Sequence, residues 1–411
     1  MATRRFLPYV VGFGAGVGAA LFTLDSLDTS FFNNATARSL SPPPLPLSSL
    51  VTMTGSNASE IVTRAFTSYA NFIAGQMQPV LAVVAPNTKE KKERLINIAI
   101  RKNGLLAAKL CEAFLKEEAT SSVKVVPDNT AASNDSSVYA DFGNVVLHVA
   151  RDWGSSKSNH NKAILDATAK YVMTPTADGI QPQLRILVPG SGCGGLLSDL
   201  ITLANAHRSS PSHDSVHITA TETSKAFLAF LRAIIVPNNK NNNENIFFQG
   251  DLLPYAHVLQ DAFYGDERDQ FLHVPVTVRT LPSSMVTVLE TNVFRSNQAS
   301  TASSQYDAVI TSFVLDAVQD PKNVLESLAG LHSHIKPGGI WINCGPCHYH
   351  NEKLATQLSY SDLISVMADK FGYEVLHGPT MLPLTPYIRD FTGGVMFAPT
   401  YKPGFSVLRK K

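Results

Sequence analysis

From Leu184 the chain reads Leu184-Arg185-Ile186-Leu187-Val188-Pro189-Gly190-Ser191-Gly192-Cys193-Gly194-Gly195-Leu196, a strand pattern running into a glycine turn and then a helix. Gly190, Gly192 and Gly194 form G-x-G-x-G, where missing side chains let the backbone turn tightly and approach a ligand. About thirty residues later, Ile218-Thr219-Ala220-Thr221-Glu222 ends in an acid. A carboxylate at that strand end can accept both hydroxyls of a ribose, although a solvated acid is the competing reading. A further strand, Tyr306 to Phe313, is followed by Asp316. Asp316 lies at the carboxyl edge where such sheets bind ligands, and it also suits a helix N-cap before Ala317.

These residues need a scaffold, and the pattern from about Gln183 supplies one. Short apolar runs (LRILVPG, HITATE, YDAVITSFVLD, GGIWINCGP) alternate with helical stretches, the beat of a βαβ sheet. A helix carrying Val324 and Leu325 leads to Ile335-Lys336-Pro337-Gly338-Gly339, a turn before the next strand. Glycine loop, strand-end acid, YDAV strand and KPGG turn, in that order, resemble the class I S-adenosylmethionine-dependent methyltransferases. The expected fold is α/β, a Rossmann-like methyltransferase sheet with an N-terminal helical cap.

Composition agrees with a globular enzyme. The 411 residues carry 34 Lys and Arg against 33 Asp and Glu, which excludes a basic field for sequence-independent nucleic-acid binding. Apolar residues make up 44%, too many for a disordered chain. Cys344 and Cys347 form a CxxC, but Cys111 and Cys193 supply no second pair, so no metal site is expected.

Three parts are expected along the chain. In residues 1–50, Arg4 and Arg5 precede an uncharged run over 6–24, long enough to cross a bilayer or to serve as an import sequence. A Ser-, Asn- and Pro-rich linker with Pro42-Pro43-Pro44 follows. This segment predicts membrane or organellar attachment, with a disordered tail as the alternative. Residues 51–125 read as helices, with Ile61, Val62, Ala65, Phe66, Tyr69 and Phe72 on one face, then Leu95, Ile98, Leu105, Ala108, Leu110 and Phe114 on another. Residues 126–411 hold the sheet domain.

The motifs also resemble one particular family. Lys336-Pro337-Gly338-Gly339-Ile340-Trp341-Ile342-Asn343-Cys344-Gly345-Pro346-Cys347-His348-Tyr349-His350 looks like the KPGGxWINxGPLxYH signature of the carnosine N-methyltransferases. Arg151-Asp152-Trp153 resembles its VRDW, Pro254-Tyr255-Ala256-His257 its PWIH, Ser312-Phe313-Val314-Leu315-Asp316 its CFFID, and Leu358-Ser359-Tyr360 its ELSYE. The resemblance covers about residues 59–411. It implies methyl transfer from S-adenosylmethionine to the imidazole of carnosine or a related histidine-containing dipeptide. Asp316 and His350 are then the catalytic and substrate-binding residues, joined at the substrate by Tyr401, with Tyr387 as a weaker candidate. His148, Arg151, Gly190, Gly192, Glu222, Asn292 and Ser312 form the cofactor site, Arg151 reaching the methionine carboxylate and Asn292 the adenine amine. Three positions depart from the family pattern. Gly195 replaces an Arg, Asn292 an Asp and His148 a Gln. They leave open a protein histidine or another small amine as acceptor, or a membrane-tethered member without catalysis.

Overall fold

A computed structural model describes residues 55–120, 141–154, 160–173, 183–207, 216–236, 246–256, 265, 267–268, 270–295, 305–318, 323–349, 356–387 and 400–411. The apolar run over 6–24, the linker after it, and His350 lie outside them. Among the described residues no helix is long and apolar enough to cross a membrane. The chain divides into two compact units, residues 1–144 and 145–411.

In the first unit, α1 (Gly55–Val83) and α2 (Pro86–Thr120) form a helical hairpin. Pro86 opens α2, where its fixed φ suits a first helical turn and its missing N–H costs nothing. The buried seam uses Val62, Tyr69, Ile73 and Met77 from α1, and Ile96, Ala99, Leu106 and Leu110 from α2. Asn103 lies fully buried in this seam and donates from Nδ2 to the Tyr69 hydroxyl at 2.7 Å. The expected α2 stripe is met in part, since Leu95 and Leu110 are buried while Leu105 and Ala108 face outward. Leu105 is 38% exposed, as is Phe72 on α1. A polar residue occupies the true seam, and its hydrogen bond is what makes burial tolerable there.

The second unit contains the end of α3 (Asp141–Trp153), α4 (His160–Tyr171) and a seven-stranded sheet. Its members in chain order are β1 (Leu184–Pro189), β2 (Val216–Glu222), β7 (Val286–Glu290), β8 (Tyr306–Ser312), β9 (Ile335–Gly345), β10 (Tyr373–Met381) and β13 (Gly404–Lys410). The spatial order is β10-β13-β9-β8-β1-β2-β7, parallel except that β13 runs antiparallel to both its neighbours. This is the sheet of class I methyltransferases. Between the strands come α5 (Gly195–Ala206), α6 (Lys225–Ile234), α7 (Val324–Ser333) and α8 (Tyr360–Asp369). Small ladders join β3 (Ile235–Val236) to β6 (Leu281–Pro282), β4 (Ile246–Leu252) to β5 (Val274–Arg279), and β11 (Thr385–Pro386) to β12 (Thr400–Tyr401).

The parallel strands are buried on both faces and therefore read as continuous apolar runs. Val309, Leu328, Leu331, Ile335 and Trp341 are fully buried between sheet and helices, each contributing roughly 1.5–3 kcal/mol of apolar transfer. Two expectations need correcting. The KPGG turn lies within β9, where the register jumps from Tyr306↔Ile335 to Ala308↔Ile340. The residues from Tyr401 to Lys410 also read in the sequence as one last strand, but the chain breaks at Lys402-Pro403, so Tyr401 belongs to β12 rather than to the main sheet.

A polar network threads this core. The Trp341 indole donates to Thr311 Oγ1 at 2.9 Å, which donates to Asn343 Oδ1 at 2.7 Å. Asn343 Nδ2 then donates to the Tyr360 hydroxyl at 3.1 Å, which contacts Ser406 Oγ at 3.0 Å. It ties β8, β9, α8 and β13 together directly beneath the strand ends.

Candidate active site

The order of strands reverses at β1, which has β2 on one side and β8 on the other. The crevice outside the carboxyl ends of such strands is where open α/β sheets bind ligands. Register places the expected residues there. Pro189 pairs with Thr221 and Glu222 with Glu290, so Gly190, Glu222 and Asn292 leave adjoining strand ends. Leu187 pairs with Val309, and three residues further the ladder brings Gly190 level with Ser312.

The glycine loop is left-handed at Gly190 (φ 60°), Gly192 (φ 54°) and Gly194 (φ 77°). A Cβ at Gly190 would meet Val314 Cγ2 at 2.5 Å. At Gly192 it would meet only Arg151 Nη2 at 3.8 Å among the described residues, so the loop keeps one open side. Glu222 is buried, and its carboxylate accepts from Gly192 N at 3.0 Å, Thr223 N at 2.8 Å and Ser224 N at 2.9 Å. Burial raises its pKa while these donors pull it back. A carboxylate has about four acceptor directions, so about one remains for a ribose hydroxyl without rearrangement. The Asn292 Oδ1 accepts Phe294 N at 3.1 Å, which fixes the amide at the end of β7.

One helix, α3, brings His148 and Arg151 onto one face at i,i+3 spacing. Arg151 Nε donates to Asp152 Oδ1 at 2.6 Å, and its guanidinium lies 5.0 Å from the Tyr387 ring centroid. Trp153 donates to Cys193 O at 2.8 Å, anchoring this helix end under the glycine loop. His148 packs on Phe227 at 4.8 Å and its Nδ1 is buried with no hydrogen-bond partner among the described residues. Burial, then the Arg151 charge, lower its pKa to about 3, keeping the ring neutral beside a guanidinium.

Beyond β8 the chain turns sharply. Phe313 adopts φ 50°, unusual for a non-glycine residue, while its N–H bonds Cys344 O at 2.8 Å. Asp316 then falls inside a 3-10 turn, Leu315–Ala317, capped by Val314. It is therefore no N-cap, and it is 4% exposed. Its charge is felt by Tyr401, Cys347 and Tyr349, whose pKa values burial and Asp316 both raise. Phe313 stacks on Tyr387 at 5.2 Å and meets Tyr401 edge-on at 6.0 Å. His348 is exposed, 6.3 Å from the Tyr401 ring. The structure thus gathers Asp316 and Tyr401 on one side, and His148, Arg151, Gly190, Gly192, Glu222 and Asn292 on the other, with Ser312 at the strand end beside Gly190. Phe313, Cys347 and His348 carry no assignment from sequence, though Phe313 sits inside the SFVLD motif itself.

The sequence profile of the carnosine N-methyltransferases matches residues 132–411. The chain belongs to the carnosine N-methyltransferase family. A carnosine N-methyltransferase of Schizosaccharomyces pombe is 26% identical over 246 residues, covering 56% of this chain and 60% of that protein. One from Mus musculus is 25% identical over 232 residues, covering 55% and 52%. The chain thus spans about half to three fifths of the length of the curated relatives it matches. Among solved structures, TehB from Haemophilus influenzae aligns with 61% of this chain and 62% of its own, at 13% identity and a TM-score of 0.35. At that level the strand order, rather than the superposition, establishes the fold.

S-adenosylmethionine is the cofactor of this methyltransferase family, and the residues present fit it. The open side of Gly192 faces the Arg151 fork, suited to a carboxylate, with Glu222 and Asn292 at the next strand ends. The missing family Arg at Gly195 has a local cause. A Cβ there would meet Asp152 Cβ at 2.7 Å and Asp152 O at 2.9 Å, so α5 starts flush against the end of α3.

Proposed function

We propose that this protein is an S-adenosylmethionine-dependent N-methyltransferase acting on the imidazole of carnosine or a related histidine-containing dipeptide, with an anserine-like product. The observation that carries the reading is the buried Asp316 carboxylate, set among the rings of Phe313 and Tyr401 at the sheet edge that bears the glycine loop.

When bound, the cofactor supplies a methyl group already activated on a positively charged sulfur. Alignment is the chain's task. Asp316 accepts the N–H of one imidazole nitrogen, which leaves the lone pair on the other nitrogen as nucleophile. That nitrogen would take the methyl group from a donor bound there, leaving the donor as the neutral thioether, and the acceptor ring would become a cation. The carboxylate stabilises that charge, and the N–H proton leaves towards Asp316 and then solvent. Phe313 and Tyr401 hold the flat ring and favour the cation through their faces. Arg151 is assigned to the donor carboxylate, Glu222 to ribose, Asn292 to adenine, and His148 and Ser312 to the rim of that site. His350 is assigned to the acceptor as a hydrogen-bond partner.

The test is incubation with S-adenosylmethionine and carnosine, using Asp316→Asn as control. Methylated imidazole from the native chain, and a drop of roughly a hundredfold or more in turnover for the variant with unchanged S-adenosylhomocysteine affinity, support the proposal. Methylation of histidine on a peptide array with carnosine untouched would move the acceptor to protein. Absence of any heat on titrating S-adenosylhomocysteine would reduce the chain to a non-catalytic member.

A further inference from the structure

Tyr387 touches both halves of the site. The Arg151 guanidinium lies over its ring at 5.0 Å, and His148 meets it edge-on at 6.3 Å and 87°. Phe313 stacks on it at 5.2 Å and 29°, and Tyr401 meets it edge-on at 5.8 Å and 88°. The first pair belongs to the donor side and the second to the acceptor side. One ring is therefore in contact with all four groups.

We propose that Tyr387 is a positioning residue that couples donor and acceptor binding. The inference rests on the function proposed above. Arg151 is already fixed at Nε by Asp152 at 2.6 Å, so the remaining freedom of its fork is the swing that the Tyr387 face opposes. A donor carboxylate pulling on the fork presses the guanidinium to that face. The same ring is the plate against which Phe313 and Tyr401 stand, and packed plates shift together rather than independently. Filling either compartment thus settles the ring and tightens the other. Such coupling is reciprocal by thermodynamic necessity. A tyrosine that only lined the acceptor pocket would leave donor affinity untouched, and this is the point at which the two roles separate.

The experiment uses the full chain and titrates S-adenosylhomocysteine with and without saturating carnosine, alongside the carnosine KM. In the native protein carnosine lowers the S-adenosylhomocysteine Kd by roughly fivefold or more. Tyr387→Met keeps bulk and apolarity but removes the aromatic face. It raises the Kd by roughly three- to tenfold, raises KM, and brings the ratio of the two Kd values to about one. Tyr387→Phe restores most of both. In an Arg151→Lys background, Tyr387→Met adds little further loss of donor affinity, because the contact it removes is already disturbed. A Tyr387→Met protein with raised KM but unchanged S-adenosylhomocysteine Kd overturns the proposal and leaves Tyr387 a pocket wall. Failure of the native chain to methylate carnosine is a separate result. It removes the proposed acceptor, while an unchanged donor Kd in Tyr387→Met still overturns the hold on Arg151. Should Tyr387→Met lower the melting temperature sharply, the comparison of Tyr387→Phe with Tyr387→Leu decides the same question.

Discussion

Replacing His148 with Gln should make the protein less sensitive to acid. In the fold His148 titrates near 3 against an ordinary 6.5, because Nδ1 is shut from solvent and Arg151 sits one turn away. Asp152 opposes this only in part, while Phe227 and Tyr387 contribute rings rather than compensating charge. A depressed folded value means that the unfolded chain binds the proton first. The neutral ring's contribution is complete above pH 6.5 and is lost as pH falls towards 3. Between pH 6.5 and 5.0 the loss is at most about 2 kcal/mol, at about 1.4 kcal/mol per unit. Gln has similar reach, stands at this position in the family pattern, and does not titrate. Urea unfolding at pH 7.5 and pH 5.0 measures the difference. The native protein should lose about 1–2 kcal/mol more than His148→Gln over that interval. Equal losses would show that His148 is protonated as readily in the fold as outside it, and the neutral, enclosed ring would have to be abandoned.

Gly190→Ala forces a left-handed alanine and drives a methyl group into Val314, so S-adenosylhomocysteine affinity measured by calorimetry should fall at least tenfold, roughly 1.4 kcal/mol. Gly195→Ala should cost about 1–3 kcal/mol in urea unfolding through overpacking on Asp152, and a neutral result would mean that the helix start yields easily. Residues 1–50 fused to a fluorescent reporter should carry it to a membrane or organelle, and deleting them should leave a chain active on carnosine; diffuse fluorescence would make the segment a tail.

The sheet was legible because parallel strands buried on both faces carry an apolar run through their middle, as at Ile186–Val188 in β1 and Ala308–Ile310 in β8. The loop glycines were legible because few other residues accept φ near 60°. The stripe of α2 was legible only in part: Leu95 and Leu110 are buried as expected while Leu105 is not, and Asn103 hides its place in the seam until its partner Tyr69 is known. Asp316 was placed correctly along the chain, yet only the fold distinguishes a cap from a buried carboxylate in a 3-10 turn. Tyr387 could be read only as a weaker acceptor-side candidate, and its contact with Arg151 could not be read. Its neighbours Arg151, Phe313 and Tyr401 are distant in sequence, and nothing local marks an aromatic ring as shared between compartments.

The position of β13 makes closure of the sheet depend on the strand that follows the other six in sequence. This strand is made after the other six yet lies in the interior, between β9 and β10. Until Gly404–Lys410 arrives, β9 presents an open edge along Trp341 and Ile342, and α8 with β10 has no ladder to join. Without this strand the sheet would carry the kind of unsatisfied edge on which chains pair with one another. Asn343 limits a wrong insertion. It pairs with Ser406 across the ladder, and both reach the Tyr360 hydroxyl, so a slip of one residue would bury polar groups without partners. Removal of Gly404–Lys410 would therefore expose an edge prone to self-association, and the buried asparagine helps to fix the register of the strand that covers it.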